Sequence, residues 1–239
     1  MARSFARQWR RLLHHEGTSS GSGSGGAGAG HSGSESSSST PAIPPPPLEL
    51  LERAKSREGD ALGAFFDHYF SMIHGLAFHL VGNRETAQDV TQEVFLRVHR
   101  AIDRIDTARD PKPWLTTITY NVCRDLWRSE KSRRMNQTSS WEDEPGLQER
   151  VAAEQDTPEG ATIRKEERAI VQAALRELPE GLRTVVVLHD YQGLAHDKIA
   201  ELVGASHAAV RKRYSRALKA LATILPPLLE MPGERPESP

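Results

Sequence analysis

The chain has 239 residues, one cysteine and a formal net charge of −1. A lone Cys123 excludes a disulfide framework and a cysteine-rich zinc site, and it fits a reducing cytoplasm. No apolar run approaches the length of a membrane span, and with so little net charge the partners must be read from how charge is distributed.

Residues 1–15 carry Arg3, Arg7, Arg10 and Arg11 but lack the apolar stretch and small-residue cleavage site of a secretory signal. Phe5, Trp9, Leu12 and Leu13 fall at helical spacing, so a short basic amphipathic helix is one reading. A floppy tail is favoured, because so short a helix is marginal alone. Residues 17–40 are almost only Gly, Ser, Ala and Thr, and 41–47 are mostly proline. Such a stretch cannot bury enough apolar surface to offset its chain entropy, so 1–47 is expected to be a disordered tail. Residues 226–239 are expected to fray likewise. The remainder, 48–225, suits one or two small domains.

Period-two alternation is absent and the expected class is all-α. The first block, residues 48–134, reads as helices broken at Arg57-Glu58-Gly59, at Gly82-Asn83 and across 103–113. Asn83 is a candidate N-cap, and Asp110-Pro111 suits a helix start. Over 84–102, Ala87, Val90, Val94 and Val98 form one stripe. The opposite face collects Glu85, Asp89, Gln92, Glu93 and Leu96. A carboxylate face around an exposed leucine suits a basic partner helix; taken alone, a solvated face is the stronger reading. Over 113–134, Trp114, Ile118, Val122 and Leu126 are expected to form the core stripe. Tyr120, Arg124, Trp127, Arg128 and Lys131 then lie opposite, beside Thr117 and Asn121. Rings interleaved with cations suit a single strand, whose bases stack for about 1–3 kcal/mol each. Packing of Tyr120 and Trp127 against neighbouring helices is an equal alternative. The polar loop 103–112 has the composition to hold a flipped base.

Residues 135–160 are polar, acidic and carry Pro145, Gly146, Pro158 and Gly160, and are expected to be a flexible linker. The second block, 161–225, reads as four helices. The first ends near Leu178-Pro179. The second covers about 180–190, with the β-branched run Thr184 to Leu188 taken as helix. The third is 195–203, closed by Gly204. The fourth opens after the N-cap Ser206 and runs to about 224. Helix, glycine turn, helix is the spacing of a helix-turn-helix. Val210, Tyr214, Ala217 and Leu221 make its buried stripe, while Arg211, Lys212, Ser215, Arg216 and Lys219 project elsewhere. His207, Ala208 and Ala209 are small or polar, which lets the helix end approach base edges. No acid occurs from Ser206 to Leu225, which favours DNA over a merely solvated basic face.

At these residues the chain resembles a known family. ETAQDVTQEVFLRVHR and PWLTTITYNVCRDLWRSEKSRR resemble region two of bacterial sigma factors, and LRELPEGLRTVVVLHDYQGLAHDKIAELVGASHAAVRKRYSRALKAL resembles region four. Their order, with only a short acidic tether between, resembles the extracytoplasmic-function (ECF) group. The resemblance implies two helical domains, a region two bundle (48–134) and a region four helix-turn-helix (161–225). It implies that Asp89, Gln92, Glu93, Phe95 and Leu96 grip core RNA polymerase. It implies that the loop before Trp114 and the face through Asn121 and Arg124 melt the minus-ten element. Arg211, Lys212, Ser215 and Arg216 match positions that read the minus-thirty-five element, and the candidate DNA-binding set also takes in Tyr120, Trp127, Arg128, Lys131, Ser206 and His207. An anti-sigma factor is expected as a further partner. The family pattern is broken where Ala195 replaces a Ser or Thr cap, where His207-Ala208-Ala209 replaces Glu-Gly-Thr, and where Lys212 replaces a small polar residue.

No active site is legible. There is no HExxH, no phosphate-binding glycine loop and no serine elbow. His74 and His79 are poorly spaced for one helical face, Asp89 with Glu93 lacks a pocket signal, and Cys123 is expected to be buried rather than redox-active. The reading is therefore a cytoplasmic, cofactor-free sigma factor, monomeric when free, with no small-molecule substrate and no metal. A stand-alone helix-turn-helix regulator is the main alternative, since it explains the second block but not the faces of the first. A helical adaptor and a helical nuclease are weaker alternatives.

Overall fold

A computed structural model describes residues 44–137 and 160–230. Of the tails and linker expected at 1–47, 135–160 and 226–239, residues 1–43, 138–159 and 231–239 lie outside the described residues, while 135–137, 160 and 226–230 are helical rather than flexible. Those described are helical, without strands, and fall into two compact units divided between Ile163 and Arg164.

The first unit holds α1 (Leu48–Lys55), α2 (Gly59–Val81), α3 (Arg84–Ala101), a 3-10 turn (Ile102–Arg104) and α4 (Lys112–Gln137). The long α2 is central and packs against α1, α3 and α4. Its Phe65, Tyr69, Ile73, Leu76 and Leu80 are almost fully buried and recur every three or four residues, the spacing that keeps one side of a helix facing inward. Gly82 ends α2 at φ 78, the left-handed cap that glycine adopts without a Cβ penalty. Asn83 then caps α3, its Oδ1 accepting from the Thr86 amide at 3.0 Å, as its residue type predicts.

The expected stripe of α3 is buried: Ala87, Val94 and Val98 are 0% exposed and Val90 3%. Around α4 the expectation needs correction. Leu115, Thr119, Val122 and Cys123 form its inner side, whereas Trp114, Ile118 and Leu126 are only half-buried. Apolar residues occur all round this helix, so periodicity does not select a face; contact with α2 and α3 does.

The second unit holds α5 (Gly160–Glu177) from Arg164 onward, α6 (Glu180–Val186), a π turn (Val187–Tyr191), α7 (His196–Val203) and α8 (His207–Glu230). The single helix expected over 180–190 is thus α6 widening into a π turn, where the Gln192 amide reaches back five residues to the Val187 carbonyl at 3.1 Å. The widened turn buries Asp190 completely. Gly204 ends α7 at φ 66. Ser206 caps α8, its Oγ accepting from the Ala209 amide at 3.2 Å. As the residue at that cap suggests, Ala195 opens α7 with no side-chain bond. Helix α8 also continues past the expected end near 224, through Pro226 and Pro227 to Glu230. Leu225, 2% exposed, anchors it just before the prolines.

Candidate nucleic-acid interface

In the second unit, α8 packs against α6 and α7 through Val210, Ala217, Leu221 and Leu225, all buried. Tyr214 in the same stripe is half-buried, and its hydroxyl donates to Asp190 Oδ1 at 2.9 Å. That bond ties the helix with the exposed cations to the buried π turn. The opposite side of α8 exposes Arg211, Lys212, Arg213, Ser215, Arg216 and Lys219. Ser206 and His207 are exposed at its start. The result, over residues 207–225, is a helix whose inner face is apolar and whose outer face is cationic and free of carboxylates. Such a helix can enter a major groove, with some cations on base edges and the rest on phosphates.

In the first unit, α4 exposes Thr117, Arg128 and Lys131, with Asn121, Arg124 and Trp127 half-exposed. Tyr120 departs from the expected face: it is 7% exposed and its ring meets Trp127 edge-on at 6.5 Å. The rings left for a base are the half-exposed Trp114 and Trp127. Arg124 is shared with an acid, its Nη2 lying 3.9 Å from Asp125. The loop before α4 is held at both ends. Ile102, Ile105 and Pro111 are buried, Lys55 Nζ donates to the Ile105 carbonyl at 2.9 Å, and Asp110 Oδ1 accepts from the Lys112 amide at 2.9 Å. Its middle, apart from half-buried Thr107, is exposed. A loop pinned at its ends with an open tip can receive a group without refolding.

On α3, Asp89 and Gln92 are exposed and Leu96 is 52% exposed. Glu93 Oε1 accepts from Arg97 Nε at 2.7 Å, and Arg97 Nη1 lies 3.0 Å from Asp125 on α4. Phe95 is half-buried, its ring 4.8 Å from Phe66 and 6.1 Å from Phe70. Phe70 is itself 49% exposed and extends the apolar patch onto α2, an addition that the sequence of α3 alone did not suggest.

Neither histidine singled out in the first unit makes a metal site. His79 is buried, and His74 Nδ1 lies 3.3 Å from Thr91 Oγ1, with burial and then Arg84 pushing the His74 ring below its ordinary value. Among the described residues no group of three or more His, Cys, Asp or Glu side chains is placed to hold a metal, and no helix is long and apolar enough to cross a membrane. Cys123 is fully buried, and burial pushes its thiol up to about 12. A second cluster was missed in the sequence. His189, His196 and His207 come from three different elements: the first two meet Tyr214 and each other, and His207 meets His196, a convergence that only the helix-turn-helix packing brings about.

Residues 65–133 match the family described as Sigma-70 region 2, and 168–221 match Sigma-70, region 4. The ECF RNA polymerase sigma factor BldN of Streptomyces coelicolor is 31% identical over 180 residues, 75% of this chain and 66% of BldN. The RNA polymerase sigma-H factor of Pseudomonas aeruginosa is 29% identical over 182 residues, 76% of this chain and 94% of that protein. Among solved structures, CnrH in complex with the cytosolic domain of CnrY superposes with a TM-score of 0.50 at 25% identity, covering 74% of this chain and 96% of that one.

Proposed function

This chain belongs to the sigma-70 family of RNA polymerase sigma factors, in its extracytoplasmic-function group, and on that premise we propose that it joins core RNA polymerase and directs promoter-specific initiation. The first unit docks on the polymerase through Asp89, Gln92, Glu93, Phe95 and Leu96. Its α4 face, with Asn121, Arg124, Trp127, Arg128 and Lys131, and the pinned loop before it capture the melted minus-ten strand. Tyr120 serves there only by supporting the Trp127 ring from within. The second unit reads the minus-thirty-five duplex with Ser206, His207, Arg211, Lys212, Ser215 and Arg216. The protein is not itself an enzyme, since bond making in RNA synthesis belongs to the polymerase. It acts in the cytoplasm, as a monomer when free.

The observation that carries this reading is the pairing of two unlike surfaces on separate units. One is a cationic helix face without carboxylates; the other is a carboxylate face centred on a half-exposed leucine. Two modules on one chain gain from effective concentration, so docking on the polymerase makes two weak DNA contacts act as one strong contact. An anti-sigma factor is a further proposed partner, in keeping with CnrH, which is bound by the cytosolic domain of CnrY.

The test is to mix the purified chain with core RNA polymerase and ask for a stable complex that initiates from a defined start on promoter DNA. A complex weakened by Glu93→Lys supports the reading. No complex at physiological salt overturns it in favour of a helix-turn-helix regulator that acts alone.

A further inference from the structure

Three histidines of the second unit come together where the helix-turn-helix is assembled, two of them stacked and the third edge-on. His189, on the π turn, donates from Nδ1 to the Leu194 carbonyl at 2.8 Å, a direction fixed because a carbonyl only accepts. Its ring lies on the ring of His196, the first residue of α7, with centroids 4.4 Å apart and planes 20° from parallel. The His196 ring in turn meets Tyr214 at 5.1 Å and His207, the first residue of α8, at 6.2 Å. One chain of rings thus runs from the π turn through α7 to the base-reading end of α8.

His196 is the member least suited to a charge. Its Nε2 is buried and has no hydrogen-bond partner. The groups that face it are His189 and Asp190 from the π turn, and His207, Arg211 and Tyr214 from α8. Asp190 alone among them favours a cation, and its Oδ1 already accepts from Tyr214. Burial first, and then His189, His207 and Arg211, push the His196 ring below its ordinary value. Two stacked imidazolium rings repel, so the stack is stable with at least one ring neutral. A proton forced onto His196 is relieved by moving α7 away from Arg211 and His207, which lie on the first two turns of α8.

We propose that His196 is a positioning residue for the base-reading end of α8, and that its protonation releases that end, so that sequence-specific duplex recognition is lost in mild acid. The inference rests on the second unit reading duplex DNA. Generic attraction works the other way, because the positive charge that acid adds to exposed imidazoles in general draws the protein to phosphates. That gain is shared by every duplex and cancels in a ratio of affinities.

The experiment uses holoenzyme reconstituted from the full chain and core polymerase. A duplex is enriched from a random pool at about pH 7.5, and its affinity relative to a scrambled duplex is followed down to about pH 5.5, the span in which histidine titrates. The wild-type ratio should fall about tenfold, the loss of roughly one base contact, while that of His196→Phe, which keeps a ring without a titrating proton, should change no more than about twofold. A flat wild-type ratio, or a variant that follows the wild type, overturns the proton linkage and leaves promoter reading intact. Failure to enrich any duplex overturns promoter reading and this inference with it. Should His196→Phe not fold, a proton NMR titration of the wild-type chain decides: a His196 ring that titrates at the ordinary histidine value overturns the proposal, and one that titrates well below that value supports it.

Discussion

Leu96 and Val94 stand two residues apart on α3 and separate docking from folding. Val94 is 0% exposed and Leu96 is 52% exposed. Truncating Val94 to alanine removes buried methyl groups and leaves a cavity among well-packed neighbours, at a cost of about 2 kcal/mol. Leu96→Ala removes atoms that are half in water already, so its cost to folding should stay near 0.5 kcal/mol or less. Docking reverses the order. Fully burying a leucine is worth about 1.5–3 kcal/mol, so covering the exposed half contributes about 1 kcal/mol. That is roughly a five- to tenfold change in Kd for core polymerase. The assays are urea unfolding followed by circular dichroism and a fluorescence-anisotropy titration of labelled chain with core polymerase. Two results refute the reasoning: Leu96→Ala binding within about twofold of wild type, or Leu96→Ala losing as much stability as Val94→Ala.

Gly204 sits at φ 66, and a Cβ built there meets nothing within 4 Å. Gly204→Ala should therefore cost only the left-handed strain, about 1–2 kcal/mol, read as a lower unfolding midpoint of the second unit with no change in the first. Replacing Arg211 and Arg216 together with alanine should lower the slope of log K against log salt by up to about 2 without altering the fold, as measured by duplex binding of holoenzyme over a salt series. His74 gives the first unit a pH dependence. Its folded value lies below the ordinary 6.5 because burial, and then Arg84, disfavour the cation. The unfolded chain therefore takes up the proton first as pH falls below 6.5, and stability drops from there down through the folded value; above 6.5 the contribution is flat. Thermal unfolding between about pH 5 and 8 should show this loss in the first unit, and His74→Phe should reduce it. A first-unit midpoint that is equally pH-dependent in His74→Phe rules His74 out as the cause.

Much of this protein is written locally. Asn83 and Ser206 cap their helices because a short polar side chain reaches the third amide on. Gly82 and Gly204 end theirs because only glycine takes a positive φ freely. The valine stripe of α3 lies on one side of a single helix, so periodicity alone locates it. The cationic face of α8 was legible for the same reason, since Arg211, Ser215 and Arg216 lie opposite buried Val210, Ala217 and Leu221. Packing decided the rest. Helix α4 has apolar residues on every side, and its rotation, which buries Tyr120 and half-exposes Trp114 and Ile118, is set by α2 and α3. The π turn arises in a run that reads as plain helix, yet it buries Asp190 where Tyr214 can reach it. The histidine cluster needs residues 189, 196 and 207 from three elements at once, and no spacing along the chain records that meeting. Local pattern fixes which helices form and where they stop; the rotation of each helix, and so the side chains that meet, is fixed by the neighbours that compete to cover its apolar surface.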